Sequence, residues 1–165
     1  MWIPPETVDP VLLHHPTRRS IGYFGAVRLR DGKLVYRRET TRFNAGTCFD
    51  FLWHLWKVSS RSGRRVIVIT DNARYHHAAL HKEWRKTAEP WFRLEYLPPY
   101  SPDLNPIERV WQSVKDKLSW LTVGTLDELR RELDVVLNSL TAECIASLTG
   151  YDFILSALKK ARLAA

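Results

Sequence analysis

The chain has 165 residues, 45% of them hydrophobic, with seven Trp, six Tyr and six Phe and a formal net charge of +7. That length suits one domain with a substantial core, and the aromatic-rich composition excludes a disordered chain. No apolar run reaches bilayer length, the first residues lack a signal-peptide pattern, and Cys48 and Cys144 read as buried thiols rather than a disulfide framework or a zinc site. The expectation is a cytosolic protein.

The charge is unevenly spread. Residues 1–70 hold 12 Lys and Arg against 5 Asp and Glu, whereas residues 71–165 hold 13 of each. The excess falls in pairs, Arg18-Arg19, Arg37-Arg38 and Arg64-Arg65, which suits either a phosphate-rich partner or a plain solvated basic surface.

In chain order, residues 1–19 carry four prolines and no periodic pattern, an extended lead-in. "SIGYFGAVRLRDGKLVYRRET" reads as strands over about 20–29 and 33–39 around an Asp31-Gly32 hairpin turn. "NAGTCFDFLWHLWKVSS" is an amphipathic helix with Asn44 or Thr47 as its cap, and "RRVIVIT" is a strand expected to be buried on both faces. "RYHHAALHKEWRKTA" reads as helix and "FRLEYLP" as strand. Four prolines then fall within nine positions (Pro98, Pro99, Pro102, Pro106) before a helix over about 106–118. The tail from Thr125 to Ala161 is helical with breaks near Thr141 and Gly150. A hairpin feeding alternating strands and helices predicts a mixed sheet flanked by helices.

Two carboxylates stand out. Asp71 ends the apolar strand, where α/β sheets bind ligands, although Asp at such a junction is often only a helix cap. Glu108 begins the helix after the proline loop. Asn105-Pro106-Ile107-Glu108 also fits a capping box, which accounts for the glutamate without chemistry. Each proline fixes its own backbone and biases its predecessor, so the loop holds Glu108 in a defined place. Taken together, two carboxylates on a basic scaffold suit divalent-metal phosphoryl chemistry, because Mg²⁺ takes one or two carboxylates and completes its shell with water and phosphate.

"VIVITDNARYHHA" followed by "LEYLPPYSPDLNPIERVWQSVKDKL" resembles the catalytic domain of DDE transposases, in the bacterial insertion-sequence branch related to the mariner superfamily. The similarity runs from about Ile21 to Leu118. It implies an α/β, ribonuclease-H-like mixed sheet flanked by helices, with the core over 20–120 and helices over 121–165 packed on it. It implies Asp71 and Glu108 as catalytic metal ligands, two Mg²⁺ or Mn²⁺ ions in a complete site, and Asn72, His76 and Asn105 in support. It also implies double-stranded DNA as partner, contacted by Arg18, Arg19, Arg37, Arg38, Arg64 and Arg65. A homodimer, or pairing with a full-length transposase, and a place at the bacterial nucleoid complete the picture.

The sequence departs from that pattern at the first carboxylate. The family carries it mid-strand, upstream of the hairpin, but Asp9 lies among prolines, Asp31 in a turn and Asp50 in a helix. The expectation is therefore a catalytic domain lacking its first strand and catalytically incomplete, or a remnant that binds DNA or pairs with transposase without cutting. A receiver-like or nucleotide-binding domain fits less well, given the opening hairpin and the absence of a Gly-rich phosphate loop after Asp71. His76 and His77 read as surface groups or as neighbours of substrate phosphate, and Asn72 as metal support or helix cap. Trp53, Trp56, Trp84 and Trp111 fall at core spacings.

Overall fold

A computed structural model describes residues 20–40, 42–60, 63–121, 123–153 and 156. The lead-in over 1–19, including Asp9, Arg18 and Arg19, lies outside the described residues, as does the end of the tail. Strand β1 (Gly22–Arg28) pairs antiparallel with β2 (Lys33–Glu39), in the register Phe24↔Arg37 and Ala26↔Val35. Gly32, at φ +67°, makes the turn, and Arg28 closes it by donating to both oxygens of Asp31. The hairpin tip abuts a later helix, since a Cβ on Gly32 would lie 2.1 Å from the carbonyl oxygen of Ala142.

Helix α1 (Ala45–Ser59) starts at Asn44, whose side chain accepts from the Gly46 and Thr47 amides while Thr47 Oγ1 accepts from the Asn44 amide. Both expected caps act together. Its buried stripe is Cys48, Phe51, Leu52 and Leu55. Strand β3 (Val66–Thr70) then pairs in parallel with β4 (Phe92–Tyr96). The alternation of side chains places Phe24, Ala26 and Val35 of the hairpin, and Val66, Val68, Phe92 and Leu94 of the parallel pair, against that one stripe. Trp56 and Trp84 pack against the same cluster, and the Trp53 and Trp84 rings lie 5.7 Å apart, so these indoles serve the core.

The opposite face of the hairpin meets a second core. Tyr23, Leu34 and Tyr36 pack with Trp111 of α3 (Pro106–Leu118) and with Val136 and Leu137 of α4 (Leu126–Asn138). Thr125 and Glu128 form a capping box at the start of α4, and Thr141 caps α5 (Ala142–Thr149). Helices α4 and α5 lie against α3 and the hairpin, and they are interrupted near Thr141 and Gly150.

Three expectations change. The sheet is mixed but divided: among the described residues, β1–β2 and β3–β4 share no backbone hydrogen bonds. Strand β3 is covered on one face only, with Ile67 58% and Ile69 54% exposed on the other. An apolar run cannot by itself report whether a second layer is present. The helix expected from Arg74 is two 3₁₀ turns (Arg74–His77 and Ala79–His81) before α2 (Lys82–Ala88). The helix is broken at Ala78, whose backbone is extended (φ −59°, ψ 142°); beside it, His81 Nε2 lies 2.9 Å from the Tyr75 carbonyl, and Tyr96 OH donates at 2.8 Å to that of His76.

Trp111 sets α3 against β1 at Gly25, where a Cβ would come within 2.3 Å of the indole Cζ2. Gly25→Ala should therefore lower stability by about 1–3 kcal/mol, the usual cost of overpacking. Urea denaturation checks this, and an unchanged midpoint would contradict the close approach.

Candidate active site

Asp71 follows β3 directly, and its side chain is 55% exposed. One oxygen, Oδ1, accepts from the Ala73 amide at 3.0 Å and lies 3.2 Å from His76 Nε2. The imidazole of His76 is buried, with Nε2 also 3.0 Å from Thr70 Oγ1 and Nδ1 3.3 Å from Cys48 Sγ. Burial pulls this imidazole below its ordinary pKa, with Asp71 opposing. Burial likewise pushes the Cys48 thiol up to about 11, so it keeps its proton at neutral pH. His76 is thus not a surface group; the exposed one is His77.

Asn72 does not cap a helix. Its amide nitrogen donates to the Leu97 carbonyl, and its oxygen lies 3.2 Å from His77 Nε2. The His77 ring in turn stacks on Tyr96, with centroids 4.2 Å apart. Because the Leu97 amide donates to the Thr70 carbonyl at 2.8 Å, the ends of β3 and β4 are tied where the proline loop departs. Asn72 thus ties the origin of the loop to the end of β3. The loop passes through Tyr100, a non-glycine at φ +56° with a fully exposed ring. It encloses a cavity of about 150 Å³ lined by Asp71, Asn72, Leu97 and Pro98 on one side and Tyr100 to Pro102 on the other.

Glu108 sits in the first turn of α3 and is exposed. The expected capping box is not formed: Asn105 makes no side-chain cap, and the Glu108 amide donates instead to the Asn105 carbonyl at 3.1 Å. Pro106, which has no amide hydrogen, begins the helix, so one orphan donor is absent from the outset. The capping explanation for Glu108 falls away. Its carboxylate lines a second cavity, of about 370 Å³, with Asp103, Asn105, Arg109, Gln112, Lys115 and Tyr151. Pro102 lines both cavities, so Asp71 and Glu108 occupy adjoining hollows joined by the loop.

The earlier acids are engaged elsewhere. Asp31 is bound by Arg28 at the hairpin tip, and Asp50 on α1 lies 3.5 Å from Arg37. Among the described residues, no three His, Cys, Asp or Glu side chains gather at metal-holding spacing.

The profile of the DDE superfamily endonuclease family matches residues 1–130. The chain belongs to that family. A curated relative, the "Insertion element IS630 uncharacterized 39 kDa protein" of Shigella sonnei, is 35% identical over 63 residues, which cover 38% of this chain and 18% of the relative. Among solved structures, the Mos1 strand transfer complex aligns with a TM-score of 0.65 at 20% identity, covering 91% of this chain and 45% of the Mos1 chain. The catalytic domain of Mos1 mariner transposase aligns at 0.56 with 23% identity, over 70% of this chain and 61% of that one. The Mos1 catalytic domain solved with Raltegravir and Mg gives 0.54 at 22% identity, over 70% and 62%. The fold is therefore the ribonuclease-H-like fold of a transposase catalytic domain, and the chain spans less than two-thirds of the length of these relatives.

The basic pairs of this DDE-family domain do not form simple patches. Neighbouring strand residues face opposite ways, so Arg37 points with Phe24 toward α1 and Asp50, while Arg38 sits on the Tyr23 face. Arg65 is bound to Glu89 at 2.6 Å, and Arg38 and Arg64 are exposed. No helix among the described residues is long and apolar enough to cross a membrane. The residues that sequence reasoning passed over are Cys48, Thr70 and Tyr96. Nothing in the spacing links Cys48 to a histidine 28 positions later.

The contrast between the cysteines is testable, since Cys48 is 1% exposed with a raised pKa while Cys144 is partly accessible. Iodoacetamide at pH 8 should modify Cys144 in the native chain and Cys48 only after unfolding. Mass spectrometry showing Cys48 alkylated first would contradict the buried thiol–imidazole contact.

Proposed function

We propose that the chain is the catalytic portion of a DDE transposase, which cuts DNA at a transposon end and joins it to a target in a reaction dependent on Mg²⁺ or Mn²⁺. Asp71 and Glu108 are its second and third carboxylates. The observation that carries this reading is their placement: an exposed carboxylate at a strand end and an uncapping one at a helix start, in hollows that share Pro102. Two carboxylates fit part of a divalent-metal donor set, with water and phosphate oxygens filling the rest. A bound ion there would neutralise charge on the scissile phosphate and lower the pKa of the attacking oxygen.

The chain's own groups have separate tasks. Ala73 N–H and His76 hold Oδ1 of Asp71, which leaves Oδ2 as the oxygen to meet an ion. The proline loop and α3 set the position of Glu108. Arg38, Arg64, Arg18 and Arg19 are the residues proposed to lie along the DNA backbone, and pairing through a second transposase chain fits the same reaction.

The carboxylate set is, on this reading, incomplete among the described residues. Strands β1 and β3 share the α1 core without bonding to one another, which suits a slot for one further strand between them. Ile67 and Ile69 are exposed on the face of β3 turned away from α1. A strand carrying an Asp at its centre would complete both the sheet and the site. The same gap in carboxylates favours a second reading, a domain that binds DNA or pairs with a complete transposase without cutting.

Nicking of supercoiled DNA with Mg²⁺ or Mn²⁺ separates these. The chain as it stands should be inactive, and a version extended upstream by a strand with its Asp should nick. Asp71→Ala or Glu108→Ala in the extended version should each cost at least about a hundredfold, because small misplacements of reacting groups already cost that much. Nicking by the chain alone, lost on Asp71→Ala, would show that another carboxylate completes the site. An extended chain that binds DNA but never nicks would establish the binding reading.

A further inference from the structure

The contacts around His76 form a line from the middle of α1 to the carboxylate of Asp71. We propose that His76 is a positioning residue for Asp71: the Cys48 thiol donates to Nδ1, this fixes the Nε2–H tautomer, and Nε2–H holds Oδ1 so that the other oxygen faces the hollow. The inference rests on the reading of Asp71 as a catalytic carboxylate, and it assigns Cys48 and His76 a task within it.

The Asp71 contact at Nε2 favours one tautomer, since the Thr70 hydroxyl can donate or accept. Nε2 stands 3.2 Å from Asp71 Oδ1 and 3.0 Å from Thr70 Oγ1, and Nδ1 stands 3.3 Å from Cys48 Sγ. A carboxylate oxygen accepts only, so a proton on Nε2 makes an attractive contact with it. The reverse tautomer would set the Nε2 lone pair against a carboxylate and ask the sulfur, a weak acceptor, to take the Nδ1 proton. A protonated thiol supplies the single proton that Nδ1 needs, and the raised pKa of Cys48 keeps it there.

The ring has little freedom to do otherwise. Its carbonyl accepts from Tyr96 OH at 2.8 Å, and Tyr96 OH accepts from Arg85 at the same distance. The His76 amide donates to the Ala73 carbonyl at 2.9 Å, and the Tyr75 ring packs edge-on with its centroid 4.5 Å away. Oδ1 thus receives two donors, Ala73 N–H and His76 Nε2–H, both from the turn that follows it. A carboxylate fixed through one oxygen presents the other in a defined direction. This is the role that groups behind a metal ligand play elsewhere, and removing one typically lowers metal affinity about 10–100-fold.

The test uses the full chain labelled with ¹⁵N-histidine and long-range ¹H–¹⁵N spectra at neutral pH. The expected spectrum shows a protonated Nε2 and an unprotonated Nδ1 for His76. Cys48→Ser, whose hydroxyl also donates, should keep that pattern, and Cys48→Ala should give a mixture of tautomers. In parallel, Mn²⁺ affinity from water-proton relaxation should fall about 10–100-fold in His76→Phe and recover in His76→Gln, whose amide can donate from the Nε2 position. A protonated Nδ1 in the wild-type chain, or a Cys48→Ala spectrum identical to it, would overturn the proposal even where His76→Phe fails to fold. So would a folded His76→Phe that binds Mn²⁺ like the wild type. Mn²⁺ binding insensitive to Asp71→Ala, with the expected tautomer in place, would instead overturn the metal-ligand reading of Asp71 and leave the hydrogen-bond relay standing.

Discussion

The apolar stripe of α1 is the contact on which everything else depends. Two strand pairs that exchange no backbone hydrogen bonds among the described residues are held in one core because Cys48, Phe51, Leu52 and Leu55 cover both. Phe51, Leu52 and Leu55 each contribute on the order of 1.5–3 kcal/mol when fully buried, and this burial stands in for a ladder between the pairs. A sheet normally resists shear through its ladder. Here the helix supplies that resistance from one side only.

The same helix reaches the chemistry. Cys48 belongs to the stripe and also touches His76, which in turn touches Asp71, so the residue that seals the core lies two contacts from that carboxylate. Packing and electrostatics are therefore joined at a single thiol. On the far side of the hairpin, Trp111 fills the space above Gly25 and fixes α3, which carries Glu108. One carboxylate is positioned from the α1 layer and the other from the α3 layer, and the β1–β2 hairpin separates those two layers. The proline loop, anchored at Leu97 by Thr70 and Asn72, links the two.

Much of this was legible in the residues. The hairpin turn at Asp31-Gly32, the Asn44 cap, the span of α3 and the breaks at Thr141 and Gly150 follow from local rules that tertiary context did not override. The failures have a common cause. The turns after Asp71 break at an extended Ala78, beside carbonyls that meet His81 and Tyr96, and neither contact has a sequence signature. The capping box at Asn105 and Glu108 obeyed the pattern but not the geometry, because a motif lists groups able to bond without saying that they do. The half-covered face of β3 could not be read from "VIVIT", since apolarity records what a strand can bury, not whether the covering layer is present. The carboxylate pair was visible as two residue types at ordered places; the thiol and imidazole behind Asp71 were not.

The central claim is that Asp71 and Glu108 serve one site. Anomalous diffraction from crystals soaked in Mn²⁺ tests it most directly. The account predicts a manganese peak within direct coordination reach of both carboxylates, about 2.0–2.6 Å for oxygen ligands of hard divalent cations. Peaks confined to other surface carboxylates, or one that touches Asp71 with Glu108 turned away from it, would contradict it.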